Sequence, residues 1–185
     1  MDSTNIGIAG EFYVLAQLAQ RGLVASFTLA NTKAVDILVF DESLDNFCKL
    51  EVKTTNQSPR RETRFSDEPV YSWPMSAKHE RIADPRLFFC FVVLQGPCTL
   101  PLFFIVPSSY VADYVREQHL YWIRTRTQAV NPTAMRQFRI RTTDPLGFKD
   151  NWSILSGQSP PEHQVKLSEP WFSHEGGKVT ATKSG

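Results

Sequence analysis

A chain of 185 residues with 42% hydrophobic content is long enough to bury a sizeable core within one domain. Its 20 Lys and Arg against 19 Asp and Glu leave a net charge of +1, so affinity for nucleic acid has to come from local patches rather than from global charge. Three cysteines, Cys48, Cys90 and Cys98, are odd in number and lack CxxC spacing, and the four histidines lie far apart, which argues against a disulfide framework and against a zinc site.

Residues 5–22 read as one helix stopped by Gly22, with apolar residues at Ile8, Phe12, Leu15, Ala16 and Ala19. Glu11 falls on the flank of that stripe, on a ridge with Leu15 and Leu18, where a charge is seldom left unpaired. A Glu near a helix start also answers the helix dipole, and both readings stand at this point. Gly7 and Gly10 carry no Cβ and let the first turns approach a sheet or a phosphate closely.

Residues 34–40 and 47–53 are apolar, β-branched or aromatic-rich runs of strand length, separated by the polar turn 41–46. A hairpin that closes Phe40 on Phe47 pairs 38 with 49 and 36 with 51, so that Asp36 faces Glu51. Side chains alternate along a strand, which puts Glu51 and Lys53 on one face together with Asp36. Two carboxylates directly opposite each other repel unless something positive sits between them. A divalent cation answers that need. Mg²⁺ commonly takes one or two carboxylates and keeps several waters. Asp36, Glu51 and the Val52 backbone carbonyl supply the protein share of such a site, with Lys53 beside the metal-bound water. The same residues also read as an ordinary ion pair on a solvated strand face.

The polar segment 54–64 follows the lysine. Thr54, Thr55 and Gln57 are candidate phosphate contacts, and Arg60, Arg61 and Arg64 candidate clamps; a solvated loop is the equal alternative. Ser76 caps a short helix over 76–82, from which Lys78 and His79 reach towards a scissile phosphate, with His79 as a general base the lesser reading beside a merely solvated helix-surface histidine. Strands follow at 87–94 and 102–106, the first apolar on both faces. Ser108 or Ser109 starts a helix through about Arg116, with Tyr110, Val111, Tyr114 and Val115 packing on the sheet. Residues 116–149 hold seven Arg or Lys against two acids, a local +5. Within it, Arg124 and Arg126, and again Arg139 and Arg141, have strand-like spacing, which suits a nucleic-acid surface or a solvated face. Trp152, Ile154 and Leu155 close the core. The expected organisation is a domain over 1–155 and a Ser, Pro and Gly-rich extension over 156–185. No apolar run reaches membrane-spanning length and no signal sequence stands at Met1, so the expected location is cytoplasmic.

Gly7-x-x-Gly10-Glu11 on a first helix, then Asp36, then Glu51-Val52-Lys53, resembles the PD-(D/E)xK nuclease superfamily, which includes restriction-type endonucleases and archaeal Holliday-junction resolvases. Val35 stands where the motif's name has Pro. The match runs from residue 5 to about residue 110. The resemblance implies an α/β fold with a restriction-endonuclease-like core, in which a helix is followed by a three-stranded antiparallel meander, a second helix and further strands of a mixed central sheet. It implies that Asp36 and Glu51 bind the metal, that Glu11 is a helix-borne accessory carboxylate for a second or water-mediated contact, and that Lys53 is the catalytic lysine. The expectation is a Mg²⁺-dependent endonuclease acting on DNA, with Mn²⁺ as a substitute metal and a homodimer suggested by symmetric duplex targets. A catalytically silent nucleic-acid-binding or assembly module of the same fold is the alternative.

Overall fold

The computed structural model describes residues 2–28, 35–41, 44, 47–125 and 135–156. Helix α1 (Ser3–Gln20) leads into strands β1 (Val24–Phe27), β2 (Ile37–Phe40) and β3 (Phe47–Thr55). Next come β4 (Arg60–Arg61), β5 (Pro69–Ser76), a 3-10 turn (Ala77–Arg81), β6 (Leu87–Val93), β7 (Leu102–Pro107), helix α2 (Ser108–Arg124), β8 (Met135–Arg141) and a second 3-10 turn (Trp152–Ser156). The central sheet has the order β1-β2-β3-β6-β7, and a second, three-stranded sheet the order β4-β5-β8. β3 and β6 run parallel, while every other neighbouring pair is antiparallel. The fold class is the expected one, a mixed α/β sheet in which a helix is followed by an antiparallel three-stranded meander. No helix among the described residues is long and apolar enough to cross a membrane.

Alternation along β3 and β6 sends side chains to two cores. Leu50 and Val52 of β3 and Cys90 and Val92 of β6 point to the α1 side and pack with Val14, Leu18, Ile37, Val39 and Trp152. Phe89, Phe91 and Val93 of β6 point the other way, to α2 and the second sheet, against Trp73, Phe104, Val111, Tyr114, Val115 and Phe138. The Trp73 indole N–H donates to the Val92 carbonyl at 3.1 Å, which fastens the second sheet to the first. Trp152 and Leu155 do close the α1-side core, with Ile154 partly buried against it.

Three expectations change. The stripe on α1 is a different one: Gly10, Val14 and Leu18 are buried, whereas Phe12 is 61% and Ile8 45% exposed. This helix is apolar nearly all round, so tertiary contact rather than periodicity chooses its buried face. The chooser is Gly10, where a Cβ would stand 1.9 Å from Thr54 Oγ1 of β3. Segment 76–82 forms a 3-10 turn, not an α-helix. Finally, α2 continues eight residues beyond Arg116 to Arg124, so Arg124 ends a helix and is not spaced along a strand. Arg126, Ala34, most of the 41–46 turn and the extension beyond Ser156 lie outside the described residues.

The Gly10 contact generates a paired prediction. Gly10→Ala forces α1 away from β3 and should cost about 1–3 kcal/mol, the usual range for overpacking. Gly7→Ala meets nothing within 4 Å on the same helix and should stabilise by about 0.5–1 kcal/mol through helix propensity. Urea denaturation of the two variants checks the opposite signs.

Candidate active site

The hairpin register is the one the turn and the alternation dictate, with Phe40 opposite Phe47, Leu38 opposite Lys49 and Ile37 opposite Leu50. One residue further the ladder departs from it. The Asp36 N–H donates to the Leu50 carbonyl at 2.8 Å, and the Asp36 carboxylate turns inward to accept from the Val52 N–H at 2.6 Å. Backbone groups alternate in direction along a strand, and the Thr55 carbonyl, which accepts from Leu94 N–H, faces the β6 side. Val52, of opposite parity, therefore directs both its N–H and its carbonyl to the edge that Asp36 occupies.

Glu51 lies on the α2 side of β3, beside Phe89 of β6, and is 2% exposed. An ionised carboxylate at that depth requires donors. Lys53 Nζ stands 2.6 Å from Glu51 Oε1, and His79 Nε2 stands 3.2 Å from the same oxygen. Burial pushes the Glu51 carboxyl up, yet the hydrogen bonds from His79 and Lys53 and the lysine charge outweigh it and hold it at about 2. Glu51 Oε2 is buried with no hydrogen-bond partner among the described residues. A charged oxygen left bare in this way is one that a cation would satisfy.

His79 enters the site unannounced by its surface-helix reading. It is 4% exposed, and the Ser76 N–H donates to its Nδ1 at 3.0 Å. A carboxylate can only accept, so Nε2 carries a proton aimed at Glu51, while Nδ1 lies within hydrogen-bond distance of the Ser76 backbone N–H, carbonyl and hydroxyl. The available signal was the Ser76-x-x-His79 spacing, that of a capping box with His in place of Glu or Gln.

Glu11 and Asp36 both have carboxyls raised above their ordinary values. For Glu11 the causes are burial and then the Asp36 charge, opposed by Lys53. For Asp36 burial comes first, opposed by the Val52 N–H, Lys53 and Lys78, and reinforced by Glu51. Glu11, Asp36, Glu51, Lys53 and Lys78 thus share one electrostatic neighbourhood, drawn from α1, the end of β2, β3 and the 3-10 turn. No three His, Cys, Asp or Glu side chains among the described residues stand close enough to hold a metal ion by themselves. A Mg²⁺ site needs fewer, since that ion takes one or two carboxylates plus water and phosphate oxygens. Asp36 and Glu51 are carboxylates of the kind such a set draws on.

The remaining candidates make contacts of their own. Thr54 is covered by Gly10 of α1, and Thr55 is buried with its Oγ1 accepting from Gln57 N–H. Gln57 accepts from Arg60 at 3.0 Å, and Arg60, Arg61 and Arg64 are exposed. Arg124 is exposed at the end of α2. Arg139 pairs with Glu62 at 2.6 Å and lies 4.2 Å over the Phe65 ring, and Arg141 stands 3.9 Å from Glu68. Arg116 is engaged by Asp113 and Glu117, and Arg136 by Glu80. Acids from elsewhere in the chain therefore answer much of the local +5.

The low Glu51 value carries a pH signature. Between about 2 and the ordinary 4.5 the unfolded chain binds a proton at this position that the folded one does not, so stability rises with pH across that window. The contribution is complete above it and is lost as pH falls towards 2. Glu51→Gln should flatten this acid limb, read as the urea midpoint from pH 2 to 6; an unchanged slope would show that Glu51 is not held ionised.

No protein-family model and no curated protein matches this chain. Among solved structures, a bacterial homing endonuclease, I-Ssp6803I, is similar with a TM-score of 0.50 and 13% identity, over 84% of this chain and 93% of that one. At that identity the likeness is one of fold, and it spans nearly the whole of the solved chain.

Proposed function

We propose that the protein is a metal-dependent nuclease of the PD-(D/E)xK type that hydrolyses phosphodiester bonds of DNA. The observation that carries this reading is the Glu51 carboxylate, ionised and buried, with Lys53 on one oxygen and the other oxygen bare among the described residues. A shared fold with a homing endonuclease supports the choice of DNA as substrate.

Asp36, Glu51 and the Val52 carbonyl would hold Mg²⁺ or Mn²⁺, with Glu11 acting through water or a second ion. When bound, the ion would polarise the scissile phosphate and make water a stronger nucleophile. His79 keeps Glu51 Oε1 oriented through its Nε2 proton, so that the carboxylate does not rotate. Lys53 presents its ammonium where negative charge builds on the phosphoryl oxygens as the water oxygen bonds to phosphorus and the leaving oxygen departs. The exposed Lys78, whose charge already reaches Asp36, would steady a neighbouring phosphate.

The test is cleavage of plasmid and branched DNA with Mg²⁺ or Mn²⁺, alongside metal binding by calorimetry. Lys53→Ala should cut on the order of 10²–10³-fold more slowly while still binding metal, and Asp36→Asn should lose both. Equal cleavage by wild type and both variants would identify a contaminating nuclease and end the assignment. Duplex binding without any cleavage in the wild type would favour a silent binding module.

A further inference from the structure

A cavity of about 230 Å³ lies between α2 and β8, lined by Phe65, Gln118, His119, Trp122, Arg136 and Arg139 among others. None of the carboxylate cluster lines it. Its volume is below the roughly 300–1,000 Å³ of sites for drug-sized ligands, which suits a single heterocycle.

Two stacked planar pairs contribute to its walls. The His119 and Trp122 rings lie 5.6 Å apart at 19°, and the Arg139 guanidinium lies 4.2 Å over Phe65. Gln118 is 3% exposed; its Oε1 accepts from Arg139 Nη1 at 3.4 Å, and its Nε2 has no hydrogen-bond partner among the described residues. Flipping the amide would set an NH₂ against the guanidinium, so the orientation is fixed and the orphan is a donor. A buried donor without an acceptor costs about 1–3 kcal/mol, which a ligand acceptor would recover. The charges are already balanced, Arg139 by Glu62 and Arg136 by Glu80. Burial and the Arg136 charge hold His119 below its ordinary value, opposed by Glu80. The cavity therefore asks for a planar, uncharged group that carries an acceptor.

We infer that this cavity is a nucleobase pocket, in which an unpaired base of the nucleic-acid strand stacks against the aromatic wall and accepts a hydrogen bond from Gln118 Nε2. The position suits a strand. The 3-10 turn that aims His79 at Glu51 also sends Glu80 to Arg136 of the cavity wall. The segment that leaves β3 after Lys53 carries the exposed Arg60, Arg61 and Arg64 and ends at the cavity wall with Phe65. This placement rests on the nuclease reading; the cavity's chemistry does not.

The experiment follows the Gln118 side-chain amide and the Trp122 indole by ¹⁵N-edited NMR of the metal-free full chain. The titrants are the four nucleoside 5′-monophosphates, inorganic phosphate and a short single-stranded oligonucleotide. The expected result is a shift of both signals with at least one nucleotide and none with phosphate, and tighter binding of the oligonucleotide than of any monophosphate. Gln118→Glu keeps the acceptor for Arg139 and removes the donor; Gln118→Met removes both. Each should weaken nucleotide binding about tenfold or more, read at Trp122. Phosphate shifting the same signals equally, no nucleotide shifting them, or undiminished binding by both folded variants would overturn the pocket. Monophosphates binding as tightly as the oligonucleotide would overturn the strand as its source. Base binding without DNA cleavage would leave the pocket standing and the nuclease reading refuted, and cleavage without base binding the reverse.

Discussion

The departure of β2 from β3 after the Ile37–Leu50 pair is the constraint on which the candidate site depends. Had the ladder continued in register, Asp36 and Glu51 would stand as a repelling pair across it, and the Val52 backbone would be sealed. Instead Asp36 gives its N–H to Leu50 and spends its carboxylate on the Val52 N–H. The edge of β3 beyond Leu50 is thereby left to polar chemistry. Helix α1 can approach this stretch because Gly10 fits over Thr54, and that fit brings the next residue, Glu11, into the electrostatic reach of Asp36 and Lys53. Backbone geometry and acidic placement are here one feature.

Charge is distributed with a purpose that net charge conceals. Glu51 is buried at a cost of several kcal/mol and is held ionised by a lysine and a histidine converging on one oxygen. Elsewhere the arginines of β8 are tied to acids far away in sequence, Arg139 to Glu62 and Arg136 to Glu80. These bonds tie β8 to the segment after β4 and to the 3-10 turn. Arg60, Arg61, Arg64 and Lys78 stay exposed, the arginines on the segment after β3 and the lysine on the 3-10 turn that carries His79.

Strands β2, β3, β6 and β7, and the hairpin register as far as Ile37, were legible in the sequence because a period of two and a short polar turn leave little freedom, whereas β1, β4 and β5 were not read from it. Phe40 closing on Phe47 followed from the turn alone, and continuous apolarity from Leu87 to Val93 marked a strand covered on both faces. The buried face of α1 was not legible, since an apolar residue stands on almost every side and a glycine contact made the choice. The same holds for His79. Its chemistry depends on burial beneath α2 and on Glu51, 28 residues away in sequence, neither of which local spacing encodes. The arginine cluster was legible as a count and illegible as a surface, because its partner acids come from β4 and β5 surroundings that only the fold brings near.

The acids of the cluster are pushed in opposite directions, and that division carries mechanistic meaning. Glu51 is held low by donors from the protein itself, so its charge persists whether or not a ligand is present. Glu11 is held high by burial and the Asp36 charge, and Asp36 by burial and the Glu51 charge, so their ionised forms are less well compensated than that of Glu51. Groups whose environments separate their proton affinities are those that adopt separate roles. Glu51, with one oxygen occupied and one bare, is the fixed anchor. Asp36 and Glu11, raised by burial and by neighbouring carboxylates, are the acids whose ionised forms the protein's own donors compensate less.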